Sequence, residues 1–195
     1  DMKALPVMTT YGSRVIPADY DSDGDQDLFV GGRMVPGEYP LPADSYLLQN
    51  QDGKFTDISP DISPEMKSLG LVTDAVWTDI DEDKDLDLIV VGEWMPLRIF
   101  KNVEGRLSMI MHNSNGLENS HGWWHSIAAR DFDGDGDPDL AVGAYGQADL
   151  LYRNEGGQLS AEPVWRSELI SNTTSLAWGD WDNDGTDEIG IYRPS

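Results

Sequence analysis

Four aspartate ladders constrain this chain more than anything else in it. They read Asp19-Tyr-Asp21-Ser-Asp23-Gly24-Asp25-Gln-Asp27, Asp79-Ile-Asp81-Glu-Asp83-Lys84-Asp85-Leu-Asp87, Asp131-Phe-Asp133-Gly-Asp135-Gly136-Asp137-Pro-Asp139 and Asp180-Trp-Asp182-Asn-Asp184-Gly185-Thr186-Asp187-Glu188. Carboxylates crowded at alternate positions repel one another, and a bound cation is the simplest relief. The ladders start at 19, 79, 131 and 180, so they recur at intervals of 60, 52 and 49 residues. That period belongs to propeller blades and related arrays.

More than the ladder repeats. A short β-type run precedes each one (Arg14-Val15-Ile16, Ala75-Val76-Trp77, Ser126-Ile127-Ala128, Ser175-Leu176-Ala177-Trp178). Another follows (Leu28-Phe29-Val30, Leu88-Ile89-Val90-Val91, Leu140-Ala141-Val142, Ile189-Gly190-Ile191-Tyr192). Each ladder therefore reads as a hairpin-like connection between two buried strands. In the first three units a third strand ends at Asn50, Asn102 or Asn154. It leads through Gly53, Gly105 or Gly156-Gly157 to a fourth at Phe55, Leu107 or Leu159. Asn and Gly at these offsets are expected to supply the positive φ of tight turns. The fold class is all-β, with propeller-type blades of four antiparallel strands. The chain reads as one domain over 1–195, with units at 12–59, 71–110, 122–162 and 172–195, the last incomplete: about three and a half repeats. Residues 33–44 and 60–70 break the period, and insertions of this kind usually map to loops on one face.

The ladder chemistry points to Ca²⁺, which takes six to eight oxygens in loose geometry. Positions 1, 3 and 5 turn side chains inward, position 6 turns the chain, position 7 offers a carbonyl and position 9 closes the cage. The candidate ligands are Asp19, Asp21, Asp23, Asp25 and Asp27; Asp79, Asp81, Asp83, Asp85 and Asp87; Asp131, Asp133, Asp135, Asp137 and Asp139; and Asp180, Asp182, Asp184, Thr186 and Glu188. An EF-hand needs Glu at position 12; Val30, Val90, Val142 and Ile191 stand there instead. Zinc wants His or Cys, and His112, His121 and His125 lie outside every ladder. Mg²⁺ prefers a smaller octahedral cage with retained waters. Up to four Ca²⁺ are expected. The site at 79–87 should be the weakest, because Lys84 occupies the glycine position. In the fourth ladder, Glu188 closes the cage beside Asp187, which leaves its register less defined.

The net charge is −23, from 36 acidic and 13 basic residues, and the ladders hold 21 of the acids. Four calcium ions would bring −23 to −15, so much of the acidity belongs to metal sites. Nucleic acid is excluded as a partner, because phosphate binding needs clustered Lys and Arg. There is no cysteine, which excludes disulfides, thiolate metal sites and a cysteine nucleophile. No apolar run approaches the roughly 18 residues of a membrane span, and no signal peptide is expected. A chain opening on Asp1 reads as processed or excised.

Asp131 to Ala144 resembles the FG-GAP repeat of integrin α-subunit propellers and its VCBS-type relatives. Tyr46 to Ser59, with Asn50, Gly53, Phe55 and Asp57, resembles the joining segment of cartilage-acidic-protein-like (ASPIC/UnbV) proteins. The resemblance implies propeller blades, structural Ca²⁺ in each, and an extracellular, cell-surface or periplasmic setting. It implies ligand roles for positions 1, 3, 5 and 9 of the first three ladders, for Asp180, Asp182 and Asp184, and less firmly for Glu188. Such propellers usually have about seven blades. A fragment, or completion by another chain through self-association, is therefore ranked above a closed four-bladed monomer.

The leading functional expectation is a binding or adhesion module for a protein or glycan, with candidate contacts Arg33, Tyr39, Trp123 and Trp124. The bland alternative for the paired tryptophans is packing between blades, and Trp77 and Trp178 are expected in the core. The second expectation is a purely structural or assembly role. An enzyme is not expected: no Ser-His-Asp order, nucleophile elbow or phosphate loop is present. Glu93 and Glu118 are the isolated carboxylates to inspect.

Overall fold

The computed structural model describes residues 4–110, 117 and 120–194. The first unit is a four-stranded antiparallel sheet in sequence order: β1 (Tyr11–Ala18), β2 (Asp27–Met34), β3 (Tyr46–Gln51) and β4 (Lys54–Asp57). A four-residue helix α1 (Ser59–Ile62) and a 3-10 turn (Pro64–Met66) follow. The second unit repeats the sheet with β5 (Leu71–Thr78), β6 (Asp87–Met95), β7 (Arg98–Val103) and β8 (Arg106–Met109). The third has β9 (Gly122–Arg130), β10 (Asp139–Gln147) and β11 (Leu150–Tyr152), with the two-residue β12 (Trp165–Arg166) outermost and β13 (Ser171–Asn172) pairing with β10. Among the described residues the fourth has β14 (Ser175–Gly179) and β15 (Glu188–Tyr192).

The apolar runs explain this architecture. In β6, Leu88 and Val90 join Phe29, Leu47 and Phe100 in a core between the first and second units. Ile89 and Val91 join Trp124, Leu140 and Val142 in a core between the second and third. Alternate residues thus face opposite neighbours, which is why the run reads as continuously apolar. The first strands pack side by side, β1 on β5, β5 on β9 and β9 on β14. A bulge recurs in them, skipping Ser13, Thr73 and His125. Ser13 Oγ donates to Val72 O at 2.5 Å and Thr73 Oγ1 to Trp124 O at 2.8 Å, stitching each blade to the next.

Position 2 of each ladder reports how far the stacking continues. Tyr20 and Ile80 are each 3% exposed, inserted into the cores beside the following blade, whereas Phe132 is 41% and Trp181 65% exposed. Trp77 packs on the first core with its ring 6.2 Å from Tyr20. Trp178 is half-buried, its ring 6.2 Å from Phe132. In the third unit the expected fourth strand at Leu159 is reduced to one bridge with Asn154, and the outer edge resumes only at β12. Pro163, lacking an N–H, sits just ahead of β12. Among the described residues no helix is long and apolar enough to cross a membrane.

The antiparallel order assigns faces. All four ladders, and the turns after β3, β7 and β11, lie at one end of the sheets. The connection after β2 (residues 35–45) and the segment carrying α1 lie at the other.

Candidate metal centres and a candidate binding face

Each ladder brings three carboxylates together. One oxygen from each of Asp19, Asp21 and Asp27 lies within 4.8 Å of the others. The same holds for Asp79, Asp81 and Asp87, for Asp131, Asp133 and Asp139, and for Asp180, Asp182 and Glu188. These are positions 1, 3 and 9, and the fourth set shows that Glu188, not Asp187, takes the closing position. Asp187 instead pairs with Arg130 of the preceding blade.

Main-chain geometry builds the cage. Position 6 adopts positive φ throughout (Gly24 97°, Lys84 78°, Gly136 103°, Gly185 96°), and so does position 4 (Ser22 59°, Glu82 60°, Gly134 78°, Asn183 61°), which the sequence reading did not anticipate. The curl brings the position-6 N–H onto the first carboxylate, at 3.1 Å for Gly24 on Asp19, 2.9 Å for Lys84 on Asp79, 3.0 Å for Gly136 on Asp131 and 3.1 Å for Gly185 on Asp180. Position 5 (Asp23, Asp83, Asp135, Asp184) stands outside the triad and accepts the position-7 N–H at 2.9–3.0 Å. Side chains at position 7 serve the turns: Asp25, Asp85 and Asp137 accept N–H groups of Asp52, Glu104 and Gly156, while the Thr186 hydroxyl donates to Asp184.

In the first three blades two further positions act on the ladders: one was not singled out in the sequence, and the other, the Asn, was read there only as a turn residue. Gln49, Lys101 and Arg153 each bond one oxygen of the position-3 Asp of their own ladder. Asn50, Asn102 and Asn154 present their main-chain N–H to Asp27, Asp87 and Asp139, each at 2.7 Å. The side-chain amide of Asn102 donates to Tyr20 O, and that of Asn154 to Ile80 O, both at 2.7 Å. Each amide thus grips the ladder of the preceding blade. The Asn residues are not at positive φ, contrary to expectation; Asp52, Gly53, Glu104, Gly105, Gly156 and Gly157 take that conformation. Gly157 is also required sterically, since a Cβ there would lie 2.6 Å from Asp81 Cβ.

The triads fit a cation. Asp19 Oδ1, Asp27 Oδ2, Asp81 Oδ1 and Asp133 Oδ1 are buried with no hydrogen-bond partner among the described residues. An ionised oxygen buried without a donor is costly, and a metal ion satisfies it. Burial pushes Asp27 and Asp87 up to about 6 and moves Asp139 in the same direction, against the hydrogen bonds from Asn50, Asn102 and Asn154. Between the usual carboxylate value of about 4 and about 6, the folded metal-free chain therefore holds protons that the unfolded chain releases. That stabilisation is full below about 4 and is lost as pH rises through 6. Cation binding has the opposite sense, because it needs the carboxylates ionised. The shift in Tm on adding millimolar calcium is expected to be much smaller near pH 5 than near pH 7.5. An equal shift at both would contradict the assignment.

The loops differ in strain. The third has glycine at both positive-φ positions and the second has none, with Glu82 and Lys84. Left-handed backbone costs a side chain about 1–2 kcal/mol. Lys84→Gly should therefore raise stability by about 0.5–1 kcal/mol after the added flexibility of the unfolded chain. Melting of the calcium-loaded variant checks this.

The opposite end of the sheets carries a second constellation. Arg33 pairs with Glu93, which is 5% exposed, Tyr39 Oη donates to it at 3.2 Å and Trp123 Nε1 donates at 2.6 Å. Three of the four expected ligand contacts thus converge on one carboxylate. The fourth, Trp124, is core: it is 2% exposed, and its Nε1 donates to Met95 O and Ser120 O. Packing between blades is the correct reading for Trp124. Partial desolvation of its hydroxyl, and then the neighbouring Glu93 carboxylate, raise the Tyr39 phenol above its ordinary value, keeping it a donor. Glu118 lies outside the described residues, as does His112.

The FG-GAP-like repeat family model matches residues 19–90, 79–142 and 131–191, each match starting on the first Asp of a ladder. No curated protein sequence matches. A chain of the crystal structure of BBS1N in complex with ARL6DN, soaked with mercury, superposes with TM-score 0.59 at 14% identity over 95% of this chain. The chain spans 52% of that structure's length. The same complex soaked with lead matches with TM-score 0.43 at 14% identity, over 94% of this chain and 61% of that one. At that identity the first match supports the fold alone. Three overlapping family matches, each running from one ladder through the next and together covering residues 19–191 with all four ladders, show that this chain belongs to the FG-GAP-like repeat family.

Proposed function

We propose that the chain is a calcium-stabilised β-propeller-type module that binds a protein or glycan in an extracellular, cell-surface or periplasmic setting. The observation that supports this most is the fourfold recurrence of a carboxylate triad, with buried unpartnered oxygens in three of the four. Calcium is favoured by the all-oxygen donor set. Extracellular calcium is abundant enough to fill modest sites, and FG-GAP repeats are typical of extracellular proteins. The ladders staple one end of the array and leave the other free to carry contacts. Catalysis finds little support: Glu93 is engaged by three donors, and the other clustered carboxylates among the described residues belong to the ladders.

The test is surface capture of extracellular proteins and glycans by the immobilised chain, in millimolar calcium and in chelator. Binding that needs calcium supports the reading. A folded, calcium-loaded chain that captures nothing would leave a structural role. A specific observation favours self-assembly as the second reading: apolar residues are exposed at both ends of the blade array, Tyr11 and Val15 on β1, Trp181 and Tyr192 in the last unit. Sedimentation velocity distinguishes a monomer from a calcium-dependent oligomer.

A further inference from the structure

Beyond the ladders, the most unusual surface is at the opposite end of the sheets. Tyr39, Trp94, Trp123 and Tyr145 form an unbroken row of rings, with centroids 5.9, 5.6 and 4.7 Å apart and tilts of 51°, 52° and 43°. The row crosses three blades: Tyr39 follows β2, Trp94 lies next to the end of β6, Trp123 next to the start of β9 and Tyr145 near the end of β10. Folding alone does not account for it. Trp94 is half exposed, yet it sits at φ 56°, where a bulky side chain is strained. Exposed aromatic surface on strained backbone is what binding sites retain against stability.

The rings are held in place from behind. Buried Glu93 receives Tyr39 Oη and Trp123 Nε1, and Gln147 Oε1 accepts the Trp123 main-chain N–H at 2.7 Å. The shallow depression before them is lined by Trp94, Trp123, Tyr145, Gln147, His121 and two glycines. Among the described residues its lining has no carboxylate and no ammonium, in a chain of net charge −23. The Arg33 guanidinium nearby is matched by Glu93.

We propose that this aromatic row is a binding platform for a neutral glycan chain. The inference rests on the module reading above and names its ligand class. Pyranose rings present apolar C–H faces that stack on Trp and Tyr, and their hydroxyls both donate and accept, which the Gln147 side-chain amide in the lining matches. A cation cage needs rings facing a common gap, and these rings touch one another instead. An anionic glycan or nucleic acid is repelled by the acidic surface.

The calcium-loaded chain is titrated with cellohexaose, mannohexaose and chitohexaose, with oligogalacturonate and a proline-rich peptide as competitors for the assignment. Tryptophan fluorescence and calorimetry are the readouts. Saturable binding of at least one neutral oligosaccharide is expected. Trp94→Ala and Tyr145→Ala should each weaken it about tenfold or more, the scale of one lost stacking contact, with the calcium-loaded Tm retained. Absence of binding by all three neutral sugars, binding that survives both variants, or binding only of the galacturonate or the peptide would overturn the proposal. The calcium reading fails separately, if chelator leaves the melting curve unchanged.

Discussion

In excess chelator the chain is expected to melt tens of degrees below its calcium-loaded Tm, or to be unfolded at room temperature. A site with a Kd of about 10 µM contributes about 2.7 kcal/mol of stability in millimolar calcium, and four such sites contribute about 11. Whole domains are stable by only about 5–15 kcal/mol. At about 2–4 °C per kcal/mol for a chain of this size, the loss corresponds to roughly 20–40 °C. The structural cause is local. Without a cation each triad holds three carboxylates within 4.8 Å of one another, and buried oxygens such as Asp27 Oδ2 and Asp133 Oδ1 have no donor among the described residues. Differential scanning fluorimetry with and without EDTA measures the shift, and coincident curves would remove the calcium staple from the account.

Asn102→Ala should destabilise the chain by about 2–5 kcal/mol and weaken the first metal site as well as its own. Asn102 is fully buried, and its amide donates to Tyr20 O at 2.7 Å and to Leu86 O at 3.2 Å. Truncation strands two carbonyls, each worth about 1–3 kcal/mol when buried without a donor. Tyr20 lies between Asp19 and Asp21, so loosening its carbonyl loosens two ligands of the neighbouring ladder. Asn50→Ala provides the internal comparison, since the Asn50 amide donates to Gln26 O within its own blade. It should cost about 1 kcal/mol. Equal effects for the two variants, by denaturant melts and calcium titration, would show that blades do not share their loops.

Much of this architecture can be read from the residues, because its signals are local. The ladders, their spacing and the apolar runs around them follow from side-chain period and turn chemistry, so blades and acidic loops are legible in order. The Lys84 strain is legible for the same reason: one residue sits where its three counterparts are glycine. What is not legible depends on contacts between blades. Asn102 and Asn154 look like turn residues in sequence, yet they act on ladders 82 and 74 residues away. Gln49, Lys101 and Arg153 share a position but not a chemistry, which hides their common role on the position-3 carboxylates. Trp123 and Trp124 are neighbours whose side chains alternate across the strand, so one joins the exposed aromatic row and the other the core. Only the register of β9 against β10 and β6 decides which is which.

The central claim is that the four triads are calcium sites, and calorimetric titration of the metal-free chain with calcium tests it most directly. The account predicts close to four equivalents bound, with the 79–87 site weakest and one equivalent lost in Asp139→Asn. A titration with no saturable heat, or a stoichiometry untouched by Asp139→Asn, would contradict it.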